Sequence, residues 1–139
     1  MTLVSHQHRF LRFSHKETFK AVEVVLKSEL KRKYLVSVVF TDDRLMKRIN
    51  QEYLSHNDVT DVIAFQLQDG QGPDAEVYVN LDQARRQAKM YGVSFGDEVR
   101  RLLIHGTLHL AGYRDSTKRM KERMRRREDL YLLRLRRKG

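Results

Sequence analysis

The sequence has no cysteine, no tryptophan and only one proline among its 139 residues. Without cysteine, the chain can form no disulfide framework, no thiolate metal site and no thiol nucleophile. It has no apolar run near the roughly 20 residues that a membrane-spanning helix needs, and its N-terminal stretch turns basic where a signal peptide would be apolar. We therefore expect a cytoplasmic protein without a membrane partner, folded as one domain over residues 1–139.

An excess of acidic charge is also absent, because 28 Lys and Arg residues outnumber 18 Asp and Glu residues and give a net charge of +10. Residues 116–139 hold 11 basic and three acidic side chains, whereas residues 1–115 hold 17 and 15. A basic segment on a nearly neutral body is typical of a protein that binds a polyanion, most often nucleic acid and less often an anionic membrane surface. The alternative is a solvated basic helix that binds nothing.

Hydrophobic periodicity and turn residues predict four strands and five helices. The strands are expected at residues 9–13, 34–41, 61–67 and 75–80, the last two forming an antiparallel pair. The helices are expected to begin at polar caps, namely Ser14, Thr41, Asn80, Ser94, and either Ser116 or Thr117. This order predicts an α+β fold, in which a small four-stranded mixed sheet packs with about five helices.

The stretch that carries chemistry begins at His105 and reads His-Gly-Thr-Leu-His-Leu-Ala-Gly-Tyr-Arg-Asp. His105 and His109 are four residues apart on a strongly predicted helix, so both imidazoles lie on one face within reach of one ion. Gly112 allows a sharp left-handed turn that can bring Asp115 back as a third ligand. This spacing predicts a metzincin-like metal helix, and two imidazoles with one carboxylate leave a fourth zinc position for water.

Each of these residues also has a plainer interpretation. A histidine pair at this spacing often belongs to a surface or a core, and Asp115 could instead cap the last helix. The position after His105, where HExxH proteases carry their general-base Glu, is Gly106. Peptide hydrolysis by that mechanism is therefore disfavoured, although water activated by zinc could still act with a carboxylate from elsewhere in the chain.

The block from His105 to Tyr113 resembles the signature of the YbeY family, which are bacterial metal-dependent endoribonucleases linked to ribosomal RNA maturation. Tyr53, with the Thr-Asp-Val-Ile-Ala-Phe of residues 60–65, resembles the family's second segment. Residues 75–79 resemble its Gly-Asp-hydrophobic strand. The gaps between the blocks also match, so the resemblance extends over roughly residues 35–130.

The resemblance implies an α+β domain with a mixed sheet and one zinc ion at the mouth of a cleft. It implies hydrolysis of single-stranded RNA by water that the metal activates, in 3′-end maturation of small-subunit (16S) ribosomal RNA and in ribosome quality control. The partners that it implies are ribosomal RNA, small-subunit ribosomal proteins and an assembly GTPase. Other divalent transition metals also suit two histidines and one aspartate.

Two positions depart from the family's pattern. The third ligand is usually His, whereas here it is Asp115, and the added negative charge makes the activated water less acidic. The Arg that usually follows the tyrosine of the second segment is replaced by Leu54, which removes a cation that could neutralise a scissile phosphate. His56 could partly replace that cation, or it could be an exposed loop histidine.

The remaining candidates supply charge, orientation and contacts with RNA. Arg114 or Arg101 could neutralise the phosphate, and Glu98 could either orient a ligand histidine or stabilise the start of its own helix. Contacts with phosphates are expected from four residues of the last helix, Arg123, Arg125, Arg126 and Arg127. Three aromatic residues could stack on bases, namely Tyr53, Phe65 and Tyr113, although core packing is the favoured interpretation of Phe65.

These residues leave three functions open. The first is a zinc-dependent single-strand endoribonuclease, in which His105 and His109 act through the water that the ion activates. The second is a metal-stabilised RNA-binding factor for ribosome assembly with little or no catalysis, which Leu54 favours. The third is a metal hydrolase that acts on peptides or small molecules, which Gly106 disfavours.

Overall fold

The computed structural model of the chain describes residues 2–54, 60–67 and 70–137. The elements follow in the order β1 Thr2–His6, α1 His15–Glu29, β2 Val36–Thr41, α2 Asp43–Leu54, β3 Val62–Gln66, β4 Ala75–Asn80, α3 Leu81–Tyr91, α4 Phe95–Leu110 and α5 Lys118–Arg137. Within this part of the chain, four strands form one mixed sheet and five helices accompany it, which confirms the predicted α+β class.

The sheet has the strand order β1-β2-β4-β3. The strands β1, β2 and β4 are parallel, whereas β3 is antiparallel to β4, with Ala64 opposite Val77. The predicted antiparallel pair is therefore confirmed. Alternate residues of the two strands face opposite sides of the sheet, so Val62 joins the main core while Ile63 joins a second cluster beneath α2 with Met46 and Ile49.

The prediction of a first strand at residues 9–13 is wrong, because the first strand is β1 at residues 2–6. Thr2 pairs with Val36, so this segment extends the parallel sheet. Residues 9–13 fold back instead. The backbone N–H of Leu11 donates to the imidazole of His8 over 2.9 Å, and that of Phe13 donates to His6 over 3.1 Å.

Most of the predicted helix caps are confirmed by hydrogen bonds to backbone N–H groups. The Ser14, Asn80 and Ser94 side chains accept such bonds at the starts of α1, α3 and α4. For α5, the choice between Ser116 and Thr117 falls on Thr117, whose hydroxyl accepts from Met120 N at 3.1 Å. Each bond satisfies one of the N–H groups that a helix start leaves without an intrahelical partner.

The predicted cap of α2 is wrong by one residue. Thr41 remains in β2, where it pairs with Asn80, and its hydroxyl donates to Val79 O at 3.3 Å. Asp42 caps α2 instead, since its Oδ1 accepts from Leu45 N at 2.8 Å. Sheet pairing thus carries the strand one residue further than the local pattern indicated.

Helix α4 lies directly on the sheet at Gly106. A Cβ atom at this position would lie 2.9 Å from Val77 Cγ1 and 3.1 Å from Val62 Cγ2, closer than carbon atoms normally approach. The absence of a side chain therefore lets the backbone of α4 touch β3 and β4. On its other sides, α4 packs against α1, α3 and α5 around residues such as Leu103 and Met124.

Among the helices of residues 2–54, 60–67 and 70–137, including the 20 residues of α5, none combines the length and apolarity that a membrane span requires.

Candidate metal centre

The end of α4 and the turn after it form the candidate site. His105 and His109 lie one turn apart near the C-terminus of α4, as helical geometry requires of residues four apart. Gly112 then adopts φ = 100°, in the left-handed region, and Tyr113 N donates back to Leu108 O at 3.0 Å. A Cβ atom at Gly112 would have open space, so glycine serves the backbone angle here. The turn directs the chain back along α4.

Three donor atoms converge beside this turn. His105 Nε2 and His109 Nε2 lie 3.1 Å apart, and Asp115 Oδ2 lies 3.5 Å from the first and 3.6 Å from the second. Because Thr117 caps α5, the alternative role of Asp115 as that cap does not apply. The chain thus brings together the three residues predicted as metal ligands, in a group that could hold a metal ion.

The other imidazole nitrogens fix how the two histidines present these atoms. His105 Nδ1 bonds Glu128 Oε2 at 2.5 Å, and His109 Nδ1 bonds the backbone carbonyl of Tyr113 at 2.9 Å. An ionised carboxylate and a carbonyl only accept, so each histidine donates through Nδ1. When both rings are neutral, each presents an Nε2 lone pair toward the other, and a cation bound between them would relieve the repulsion.

The geometry and the chemistry of these residues fit a metal ion. Zn²⁺–nitrogen bonds are about 2.0–2.1 Å long, so two nitrogens on one tetrahedral ion lie about 3.3 Å apart. The observed separation of 3.1 Å between the Nε2 atoms of His105 and His109 is close to that value. One carboxylate and two imidazoles also form a known zinc donor set, and a ligand histidine typically donates its second N–H to a carboxylate or carbonyl.

Glu128 is the functional residue that sequence reasoning missed. The orientation of His105 depends on Glu128 of α5, whereas Glu98, the candidate that the sequence offers for this role, bonds Arg101 and Gln87. Glu128 is only 5% exposed. It follows Met124 by four residues and precedes Tyr131 by three, so it stands on the buried stripe of α5. A carboxylate on an apolar stripe is the signal that could have identified it.

The electrostatics of the site favour a positive charge on His105. Burial lowers the pKa of this imidazole, but the hydrogen bond and charge of Glu128 outweigh burial, with smaller contributions from Asp61 and Asp115. The net pKa is therefore raised above the ordinary histidine value of 6.5. The same carboxylates attract a metal cation, for which the proton is a competitor.

The cations predicted to contact RNA occupy different environments. Arg114 and Arg123 line a cleft of about 360 Å³ beside the Gly112 turn, and the Arg123 guanidinium lies 5.2 Å from the Tyr113 ring centre. Arg127 is engaged, because its Nε donates to the Tyr113 hydroxyl at 2.9 Å. Two further arginines of α5 are exposed, Arg125 and Arg126.

The remaining candidates separate into surface and core positions. Tyr53 is 67% exposed, while Phe65 packs between the rings of Tyr53 and Tyr78, with ring centres 5.6 and 6.0 Å away. Core packing is therefore the better interpretation of Phe65. His56 and the side chain of Leu54 lie outside the part of the chain that the structure describes.

Known proteins share this sequence pattern over most of the chain. The family model described as Endoribonuclease YbeY matches residues 4–136. An endoribonuclease YbeY from Chloroherpeton thalassium is 40% identical over 113 residues, which cover 81% of this chain and 80% of that protein. A second from Chlorobaculum tepidum is 42% identical over 101 residues, covering 73% of this chain and 74% of that protein.

A solved structure agrees in fold. The solution structure of TM1509 from Thermotoga maritima matches with a TM-score of 0.65 and 26% identity, over 100% of this chain and 94% of that one. A family model that spans nearly the whole sequence, and relatives with about 40% identity over most of it, lead to one conclusion: the chain belongs to the endoribonuclease YbeY family.

Proposed function

We propose that this chain is a zinc-dependent endoribonuclease that cleaves single-stranded ribosomal RNA in the cytoplasm, during 3′-end maturation of small-subunit (16S) RNA and in ribosome quality control. Endoribonuclease activity follows from membership of the family. The observation that carries the metal dependence is the convergence of His105, His109 and Asp115, with both Nδ1 atoms already engaged elsewhere. Small-subunit ribosomal proteins and an assembly GTPase are the protein partners that we propose.

His105, His109 and Asp115 would hold the ion. A divalent ion bound there would lower the pKa of water toward neutrality and offset negative charge on a phosphate. Glu128 and the carbonyl of Tyr113 hold the two imidazoles in the orientation that binding requires. Gly106 faces the sheet, so the position next to His105 supplies no general base and has no room for one.

The basic residues near the site would hold the RNA. Arg114 and Arg123 border the cleft beside the metal-binding turn, where two cations can neutralise phosphates. Arg125 and Arg126 are exposed on α5 and can add sequence-independent contacts. Arg127 contributes differently, because its bond to Tyr113 anchors α5 to the turn.

A second candidate function is an RNA-binding assembly factor with weak or no catalysis. Leu54 stands where the family usually has an arginine, and Asp115 stands where it usually has a histidine. The first difference removes a cation from the phosphate, and the second adds a negative charge beside the ion. A metal-dependent peptidase has no such support, since the space at Gly106 excludes the glutamate of the HExxH mechanism.

The test combines metal content with RNA cleavage. Tag-free wild-type protein and His109→Ala are analysed by elemental mass spectrometry, with His15→Ala as a control at an exposed histidine. Wild type and His15→Ala are expected to contain about one zinc per chain, and His109→Ala none. All three are then incubated with a labelled 16S precursor, with and without chelator.

Three outcomes of this test are informative. Cleavage by wild type that chelator abolishes supports the endoribonuclease. RNA binding without cleavage at full zinc content supports the assembly factor. A folded wild-type chain without any transition metal contradicts the metal centre.

A further inference from the structure

A buried charge network continues beyond Glu128, away from the metal-binding face. Glu128 uses Oε2 for His105, and its Oε1 faces Arg101 Nη1 at 3.3 Å. Arg101 in turn donates two hydrogen bonds to Glu98, from Nε to Oε1 at 2.9 Å and from Nη2 to Oε2 at 2.5 Å. A planar guanidinium held by such a fork has one orientation.

The network also includes two glutamine side chains of α3. Gln87 of α3 donates its side-chain Nε2 to Glu98 Oε2 at 2.7 Å, and Gln83 donates to Gln87 Oε1 at 3.1 Å. Glu98 is 1% exposed. A continuous series of side-chain contacts therefore joins α3 to His105, through α4 and α5.

The charges of this network do not serve stability in an obvious way. Two buried carboxylates, Glu98 and Glu128, flank one guanidinium, and burying such groups is expensive even when they are paired. Apolar residues of similar size would fill the same space at less cost. A network of this kind is better explained by what it holds in place, which is the carboxylate that faces the imidazole of His105.

Arg101 is one of the two arginines that the sequence offers for neutralising the scissile phosphate. Its guanidinium is occupied by two carboxylates. The pKa of Arg101 is raised despite burial, because Glu98 and Glu128 stabilise the cation. A cation already neutralised by two anions has little attraction left for a phosphate, so its role lies within the network.

We propose that Arg101 and Glu98 are positioning residues of the metal centre. Glu98 fixes the plane of Arg101, Arg101 fixes the carboxylate of Glu128, and Glu128 fixes the imidazole of His105 so that Nε2 faces His109 and Asp115. The inference rests on the metal centre of the proposed function and adds a third layer of residues to it. Outer partners of metal ligands commonly change metal affinity by 10–100-fold when they are removed.

The neighbouring Arg100 provides a matched control. It lies on the same helix, with a side chain 26% exposed compared with 30% for Arg101, and it also bridges two carboxylates, Glu17 and Asp97. These carboxylates and the ring of Phe13 hold its guanidinium on the side of α1, away from His105. Arg100→Met and Arg101→Met each remove two ion pairs from α4, and only the second disturbs the network. The carboxylates that Arg100→Met leaves unpaired are the more exposed ones, at 38% and 35% compared with 1% and 7%.

The experiment measures zinc dissociation constants by competition with a chromophoric chelator, and the melting temperature of the metal-free chain. It also follows the Nδ1–H signal of His105 by NMR of protein labelled with ¹⁵N-histidine. For Arg101→Met we expect zinc affinity about 10–100-fold lower and a shifted or broadened His105 signal. Arg100→Met should retain wild-type affinity and signal, and it should lose less thermal stability than Arg101→Met because its partner carboxylates are more exposed.

Two milder variants keep the test decisive if Arg101→Met fails to fold. Glu98→Gln preserves the size of the side chain and weakens its hydrogen bonds with Arg101. Arg101→Lys preserves the positive charge but loses the paired guanidinium hydrogen bonds. Both should weaken zinc binding, by less than Arg101→Met. An unchanged zinc affinity and His105 signal in folded variants would show that the network only joins helices, and would overturn the inference.

Failure of the proposed function would look different. If the wild-type chain binds no zinc, the metal centre itself is absent. The His105 signal then decides alone whether Arg101 positions the imidazole, since that bond is formed in the metal-free chain. An unshifted signal in Arg101→Met overturns the positioning role as well.

Discussion

Gly106 of α4 lies so close to Val77 of β4 that a Cβ atom added to the glycine would be 2.9 Å from Val77 Cγ1. This contact sets the distance between α4 and the sheet. It therefore also sets the positions of His105 and His109 on that helix. The helix that carries the candidate metal ligands is thus placed by a residue without a side chain.

The first prediction tests this placement. Gly106→Ala should destabilise the chain by about 1–3 kcal/mol, as overpacking of a core usually does, although alanine favours a helix by about 1 kcal/mol. The measurement is urea unfolding. Gly96→Ala on the same helix is the control, because the atom nearest its new Cβ is the movable guanidinium of Arg100 at 3.0 Å. Equal stability of Gly106→Ala and wild type would contradict this account of the contact.

The second prediction concerns pH. The raised pKa of His105 means that its protonated form stabilises the metal-free fold below the ordinary value of 6.5, and that this contribution is lost as pH rises through the folded-state pKa. Zinc binding should follow the opposite course and strengthen over the same window, because the proton must leave.

Urea unfolding of metal-free protein between about pH 5 and 9 checks this sign. His105→Gln should lack the part of the free energy of unfolding that wild type loses as the pH rises above the ordinary histidine pKa. Glu128→Gln should reduce it, because Glu128 is the main group that outweighs burial. Wild-type stability that instead increases through this window relative to His105→Gln would show that the sign is wrong.

The third prediction separates two kinds of arginine on α5. Arg125→Gln combined with Arg126→Gln should lower the slope of log binding constant against log salt by about 0.7 for each phosphate of single-stranded RNA that is no longer neutralised. Arg127→Gln should mainly reduce stability, because Arg127 bonds Tyr113 at 2.9 Å. Fluorescence anisotropy at several salt concentrations and thermal melting distinguish them. The reverse pattern would reassign the RNA-binding surface.

The fourth prediction concerns the third ligand. In the proposed metal centre, Asp115→His removes one negative charge, so water activated by the ion should become more acidic. The pH at which RNA cleavage reaches half its maximum should therefore fall relative to wild type, with zinc content unchanged. Asp115→Ala is the control and should bind zinc more weakly. A midpoint that stays in place in Asp115→His would mean that another group controls it.

Features that depend on neighbours in the chain were predictable. Ser14, Asn80 and Ser94 cap their helices as expected, since a cap contacts N–H groups only two or three residues away. Thr41 and Asp42 were both able to cap α2. Pairing of Thr41 with Asn80 of β4 decided between them, and that pairing spans 39 residues of sequence.

The first strand shows the same limit. Residues 9–13 have a composition that suits a strand, but a strand also needs a partner. In the fold, residues 2–6 and not residues 9–13 pair with β2. The residues that follow are held in a loop by the imidazoles of His6 and His8. Periodicity indicates which segments can be strands and does not indicate which of them pair.

Two features of the candidate site were predictable from the order of residues alone: His105 and His109 share a helix face, and Gly112 turns the chain toward Asp115. Both follow from local geometry, the helical period and the freedom of glycine at positive φ. The packing of helices, in contrast, makes Glu128 and not Glu98 the residue that bonds His105. Glu98 lies on the same helix as the histidine, but two residues seven apart on a helix do not meet through short side chains. Glu128 reaches His105 because α5 packs across α4, and helix packing depends on contacts between distant segments that no local pattern encodes.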